Sequence, residues 1–192
     1  MIQGEKIQLI PTTLSERKTV YEWCFHSETT RFHAGLPDYP DSEIPTFEEF
    51  CEDYADYFFT GEKPNDGRGF TIVYNGESVG FVSYCCYHLK SGKAELDIWI
   101  SRNAYCGKGF GTDALVSLGD YLNQELGIYE LIMRPSIKNE RAVKAYKKAG
   151  FELSNAQSSD YLLEKYVSDY GDGDYGADAT ATMIKARFDY EN

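Results

Sequence analysis

The period-two patterning of residues 69–100 constrains this chain most. Gly69–Tyr74 and Ser78–His88 flank Asn75-Gly76, a dipeptide that accepts the positive φ angles of a two-residue hairpin. After a polar turn at Ser91-Gly92, Lys93–Ile100 sets Leu96, Ile98 and Ile100 against Glu95, Asp97 and Trp99. The pattern predicts an antiparallel meander of three strands.

Around the meander the period is mostly helical. Lys6–Ile10 predicts a first strand, and a helix from about Thr13 places Leu14, Arg17, Tyr21, Cys24 and Phe25 on one stripe. Residues 28–45 form a loop rich in Gly, Pro and Asp. Thr46-Phe47-Glu48-Glu49 is a capping box, opening a helix with Phe47, Phe50, Cys51, Tyr54, Tyr57 and Phe58 on one face and acids on the other. Residues 111–126 align Leu115, Leu118, Leu122 and Leu126 on a helical stripe. Tyr129–Met133 predicts a short strand, Asn139 to Ala149 a helix ended by Gly150, and Phe151–Leu153 and Ala179–Phe188 the last strands. Residues 168–178 are a low-complexity acidic loop.

Two segments carry chemistry. In Cys106-Gly107-Lys108-Gly109-Phe110-Gly111, three alternate glycines let a ligand approach the backbone, and the helix that follows directs its free N-terminal amides to the same place. That combination suits a pyrophosphate, although such a loop alone is equally a tight turn. It is not a Walker loop, which needs GxxxxGK[ST]. It is not the dinucleotide fingerprint either, which would place its third glycine at Thr112 and open a βαβ unit. The second segment, Asn139 to Glu152, sets Ala142, Val143, Tyr146 and Ala149 on one helical face. Arg134, Lys138, Arg141, Lys144, Lys147 and Lys148 form a local basic cluster. Taken alone, Tyr146 is a core aromatic and the bases a solvated helix face.

Charge is distributed unevenly along the 192 residues. The net is −12, which argues against nucleic acid or an anionic membrane as partner. Residues 38–66 hold ten acids against Lys63, and residues 160–178 six acids against Lys165, while the remainder is nearly neutral. No apolar run is long enough to span a bilayer, and the first residues lack a signal peptide's apolar core. Five cysteines (Cys24, Cys51, Cys85, Cys86, Cys106) show no zinc-ligand spacing, so no metal is expected and a reduced, cytoplasmic setting is. His26, His33 and His88 show no partner pattern. Aromatics are 15% of the chain, with 16 Tyr, which leaves room for a homodimer interface.

In this order and spacing the two segments resemble the GCN5-related N-acetyltransferase (GNAT) superfamily, whose loop reads [Q/R]xxGxG/A and whose later motif reads N-x-x-A-x-x-x-Y-x-K-x-G-F. Cys106 through Gly111 match the first, and Asn139, Ala142, Tyr146, Lys148, Gly150 and Phe151 the second. The similarity is strongest over residues 93–153. Tyr21-Glu22-Trp23 and Pro135 to Phe151 are also similar to aminoglycoside 6′-acetyltransferases, and about as similar to ribosomal-protein N-terminal acetyltransferases. The resemblance implies an α+β (α/β) fold in one domain over residues 1–192: a mixed, mostly antiparallel sheet of six or seven strands flanked by about four helices and splayed between strands 4 and 5. Residues 69–153 would form the acetyl-CoA-binding core, and residues 11–66 and 154–178 the acceptor-site walls.

It also implies roles. Backbone groups of Trp99, Ile100 and Ser101 would pair with the pantetheine arm. Gly107, Lys108, Gly109, Phe110, Gly111 and Thr112 would take the pyrophosphate, and Asn139 and Ala142 would lie against the cofactor. Cys106 stands where the family has Gln or Arg, which predicts weakened rather than lost affinity. Tyr146 matches the general acid at the CoA sulfur, and Asp97, ahead of Glu95, the carboxylate base. The acidic segments would wall a site for a small cationic amine such as a polyamine or aminoglycoside, or they merely keep the chain soluble. A protein N-terminus or lysine as acceptor, and a non-catalytic acyl-CoA-binding module, are the alternatives.

Overall fold

The protein is described by a computed structural model covering residues 1–33 and 43–186. Asp38, Asp41, the His33 side chain, and Arg187 and Phe188 at the end of the expected last strand lie outside the described residues.

Alternation and turn chemistry build one sheet of eight strands: β1 (Ile2–Gln3), β2 (Gln8–Pro11), β3 (Gly67–Tyr74), β4 (Glu77–Cys85), β5 (Lys93–Ile100), β6 (Glu130–Met133), β7 (Glu152–Leu153) and β8 (Met183–Ala186). Their order is β1-β2-β3-β4-β5-β6-β8-β7. Asn75 (φ 50°) and Gly76 (φ 80°) form the β3–β4 turn as the dipeptide predicts. β4 ends at Cys85 rather than His88, because the chain turns back with the Leu89 amide donating to the Cys86 carbonyl at 3.0 Å. That turn sets the buried His88 ring against β5, with Nε2 2.7 Å from the Glu95 carboxylate.

The β5–β6 pair is parallel and stops early. Its register runs Lys93↔Glu130, Ala94↔Leu131 and Glu95↔Ile132, after which β5 continues to Ile100 paired with β4 alone. Beyond Glu95 the two strands part, which is the splay the resemblance implies, with β1 as the added edge strand.

Each face of the sheet is covered. On one face α5 (Phe110–Leu126) buries Leu115, Leu118 and Leu122, each at most 1% exposed, against Ile72, Val82 and Leu131. Burial of each such leucine stabilises the fold by about 1.5–3 kcal/mol. α6 (Glu140–Lys148) packs Tyr146 and Ala149 onto the same core. On the other face α1 (Arg17–Phe25), α3 (Phe47–Asp53) and α4 (Tyr57–Thr60) enclose an aromatic cluster with Phe50, Phe58, Phe59, Phe81 and Trp99. Four-residue helices α2 (Thr30–His33), α7 (Ser158–Tyr161) and α8 (Val167–Tyr170) raise the count above the four expected.

Two helical expectations need correction. Leu14 lies in a single 3₁₀ turn before α1 and is exposed, not part of the buried stripe. The capping box is present, with the Glu49 amide 3.2 Å from Thr46 Oγ1, but the helix it opens breaks at Tyr54 (φ −98°, ψ 71°). The cause is Arg17. Its buried guanidinium donates to the Cys51 carbonyl at 2.6 Å, to the Tyr54 carbonyl, and to Asp56 at 2.6 Å. Among the described residues no cysteine forms a disulfide, and no helix is long and apolar enough to cross a membrane.

Candidate active site

The splay exposes one edge of β5. Along an antiparallel strand, successive residues direct their backbone groups to opposite sides. Ser101 donates its amide to the Val79 carbonyl at 2.9 Å, and the Trp99 carbonyl faces Gly80 so closely that a Cβ there would lie 2.5 Å away. Trp99 and Ser101 are therefore committed to β4. The buried Ser101 hydroxyl also goes to Val79, at 3.0 Å. The residues facing the splay are Ile98 and Ile100, the latter with its carbonyl already accepting from Thr29 Oγ1. Of the three residues expected to offer backbone groups here, only Ile100 does so. Ile98 was missed, although the alternation that marks the strand also determines which amides face out.

At the mouth of the splay, Gly107 (φ 74°) and Gly109 (φ 86°) hold left-handed conformations, and Gly109 is the N-cap of α5. Among the described residues the amides of Gly107 to Thr112 donate to no backbone carbonyl, so this turn presents a row of free donors at a helix N-terminus. Asp113 anchors the row by accepting from the amides of Glu5, Lys6 and Ile7 at 2.7–3.0 Å. Phe110 turns its ring inward against Tyr74, with centroids 4.4 Å apart, leaving only its backbone toward the opening.

This edge and this turn line a cleft of about 800 Å³, closed on the far side by Arg141, Ala142, Lys144, Tyr146 and Lys148 of α6. The Arg141 guanidinium stacks 3.8 Å from the centroid of the Phe32 ring. Free amides together with Lys6, Lys108 and these bases form a donor set suited to an elongated, phosphate-bearing ligand such as acetyl-CoA. Arg134, Lys138 and Lys147 do not take part. The Cys106 thiol lies within the cleft, with burial pushing its pKa up and Arg141 only partly opposing, so it is not an activated nucleophile. Asn139 caps α6 by accepting from the Ala142 amide at 3.1 Å, and donates to the Phe32 carbonyl. Its side chain thus shapes the cleft wall.

A second cavity, of about 750 Å³, shares Ile98, Trp99, Asn139 and Tyr146 with the first. Its wall carries six carboxylates: Glu43, Glu52, Asp53, Glu95, Asp97 and Asp174. The two β5 acids differ sharply. Glu95 accepts from Arg134 Nε at 2.6 Å and Nη2 at 2.9 Å, and from His88 Nε2 at 2.7 Å. Burial pushes its pKa up, but the His88 and Arg134 contacts outweigh burial and hold it below the usual carboxylate range. Among the described residues Asp97 pairs with no cation. Its side chain is exposed to the cavity, yet desolvation by the enclosing walls pushes its pKa up to about 6, with Asp174 and Glu95 adding to the rise and Tyr54 and Ile98 opposing it. Tyr146, at the junction, is 9% exposed, and burial followed by the Asp97 charge drives its phenol well above the usual tyrosine range.

The structure thus brings Asp97 and Tyr146 to one junction and turns Glu95 toward Arg134. Sequence reasoning missed Tyr54, His88, Arg134 and Asp174 as members of this cavity. Four separate elements deliver them, and no local spacing records the meeting.

Comparison with known proteins agrees. A family model described as an acetyltransferase (GNAT) domain matches residues 6–152. The chain is 30% identical over 96 residues to spermidine N(1)-acetyltransferase of Escherichia coli (strain K12), a match covering 50% of this chain and 51% of that protein. The chain therefore spans about half the length of this curated relative. It is 26% identical over 159 residues to an aminoglycoside N(6′)-acetyltransferase type 1 of Klebsiella pneumoniae, covering 78% of this chain and 75% of the other. The crystal structure of spermidine N-acetyltransferase from Vibrio cholerae in complex with CoA and spermine superposes with a TM-score of 0.68 at 17% identity, over 98% of this chain and 100% of that one.

Proposed function

Because the chain belongs to the GNAT acetyltransferase family, we propose that it moves an acetyl group from acetyl-CoA directly to a primary amine of a small cationic acceptor, polyamine-like or aminoglycoside-like. The observation that carries the acceptor class is the second cavity, where six carboxylates face one arginine, itself already paired with Glu95. Such a mouth concentrates cations and repels anions. The names of the relatives point the same way.

Acetyl-CoA supplies the thioester whose carbonyl carbon accepts the amine and whose sulfur departs. Within the cleft, the amides of Gly107 to Thr112 would take the pyrophosphate. Lys108, Arg141, Lys144 and Lys148 would oppose its remaining negative charge, and the Ile98 and Ile100 edge would align the pantetheine amides. Asp97 receives the proton of the incoming ammonium. With a carboxylate near pH 6 and an alkylammonium near 10, that transfer is uphill by about four units, so only a small share of the bound acceptor is neutral amine at any moment. Asp97 passes this first proton to solvent, the neutral amine attacks the carbonyl, and the second proton, made acidic by the attack, goes to Asp97. Tyr146, neutral at physiological pH, holds the proton that the departing sulfur needs. Glu95, kept ionised by Arg134 and His88, adds to the field that holds the cation without taking its proton. The free thiols agree with a cytoplasmic setting.

The test is CoA-thiol release from acetyl-CoA across spermidine, putrescine, kanamycin, free amino acids and basic N-terminal peptides. Release with the small polycations, weakening as salt rises, is the expected result. Release with peptides alone would move the acceptor to a protein N-terminus or lysine. Binding of acetyl-CoA without release on any acceptor would make the chain a binding module.

A further inference from the structure

The break between α3 and α4 has a consequence inside the acid-lined cavity. An uninterrupted helix would carry Tyr54 on with the apolar face of α3. Instead Arg17 takes the Tyr54 carbonyl, and the ring turns onto the sheet. It stacks on Phe50 with centroids 4.9 Å apart and meets Trp99 edge-on at 5.8 Å. Its hydroxyl then donates to Asp97 Oδ2 at 2.5 Å, while the Ile98 amide donates to Asp97 Oδ1 at 2.9 Å. The carboxylate is gripped at both oxygens while it lines the cavity, and each oxygen retains capacity to accept a further hydrogen bond. We propose that Tyr54 is a positioning residue for Asp97, fixing its orientation and keeping it ionised at neutral pH, with Arg17 setting the backbone that brings Tyr54 there.

The surroundings make such a device necessary. Glu95 stands on the same face of β5, its charge partly balanced by Arg134, just after β6, and by His88. The segment before β8 brings Asp174 and Tyr175, α6 brings Tyr146, and α1 brings Cys24. Glu52 and Asp53 of α3 and Cys85 of β4 line the same space. Burial, Asp174 and Glu95 all raise the Asp97 pKa, and the Tyr54 hydroxyl is the foremost group lowering it. The phenol itself is held far above the tyrosine range by burial and by Asp97, so it remains a donor throughout the working pH range.

Removing one hydrogen bond to a charged group shifts a pKa by about one unit. Tyr54→Phe keeps the ring and its stacking, so the variant should fold. With the Asp97 midpoint moved from about 6 to about 7, kcat/KM should fall about eightfold at pH 5.5 and about twofold at pH 7, with no titration effect above about pH 8.5. The proposal rests on Asp97 as base, so the experiment pairs two readouts. The first is a ¹³C-carboxyl titration of the acceptor-free protein, with Asp97 assigned through Asp97→Asn. The second is the pH profile of kcat/KM with spermidine. Both midpoints rising together in Tyr54→Phe is the expected result. An unmoved carboxyl midpoint overturns the proposal, as does a rate loss equal at every pH. A carboxyl midpoint that rises while the rate profile stays fixed upholds the grip of Tyr54 on Asp97 and overturns instead the assignment of Asp97 as base.

Discussion

The two cavities that meet at Tyr146 are built on opposite plans. The cleft is made of backbone: a run of amides from Gly107 to Thr112, an unpaired strand edge at Ile98 and Ile100, and basic side chains added around them. The acid-lined cavity is made of side chains drawn from α1, α3, β4, β5, β6 and the segment before β8. A backbone site depends on φ angles and strand register, so it tolerates exchanges such as Cys106 for the customary Gln or Arg. A side-chain site can be altered residue by residue, and on the proposed function the acceptor preference would be set there.

Substitutions should separate the two plans. The largest effect is expected from Asp97→Asn, which should lower kcat/KM about a thousandfold in the CoA-release assay with no change in acetyl-CoA affinity. The same variant should be thermally more stable than the parent at pH 8. With a folded-state pKa raised to about 6, the protonated Asp97 contributes stability that is fully present below the unfolded carboxylate range and lost as pH rises through 6. Melting curves at pH 3.5 should therefore show no gain.

Tyr146→Phe should lower kcat about a hundredfold, again with cofactor affinity intact, and stopped assays with saturating acetyl-CoA will show it. Gly109→Ala addresses the cleft alone. A Cβ at φ 86° strains the loop by about 1–2 kcal/mol, so the acetyl-CoA KM should rise about tenfold and the acceptor KM should not move. The smallest effect belongs to Glu52→Gln, which removes one of several charges. It should raise the acceptor KM about threefold in dilute buffer and less at high salt. An equal effect on both substrates would erase the distinction between the cavities.

The same contrast explains what the sequence disclosed. The strands of the meander, the Asn75-Gly76 turn, the leucine stripe of α5 and the glycine loop are local patterns, each recorded within a dozen residues, and each is present. Strand alternation turns the backbone groups of Trp99 and Ser101 to β4 and those of Ile98 and Ile100 to the splay, although Trp99 still lines the cleft. The acid asymmetry marked segments that contribute to the second cavity, but not which of their acids face it. Glu49 caps α3, Asp56 pairs with Arg17, and Asp160 caps α7, while Glu43, Glu52, Asp53 and Asp174 face the cavity. Tyr54 on Asp97 and Arg134 on Glu95 join residues about forty positions apart through a helix break and a strand crossing. No spacing rule encodes such meetings; they exist only once the sheet has assembled.

The central claim is that cofactor and cationic acceptor bind through separate chemistries. It is tested most directly by two calorimetric titrations of an Asp53→Asn/Asp174→Asn double variant, one with acetyl-CoA and one with spermidine, each beside the parent protein. The account predicts unchanged acetyl-CoA affinity and spermidine affinity lowered about tenfold. Spermidine binding as tight as in the parent, or a loss shared equally by acetyl-CoA, would contradict it.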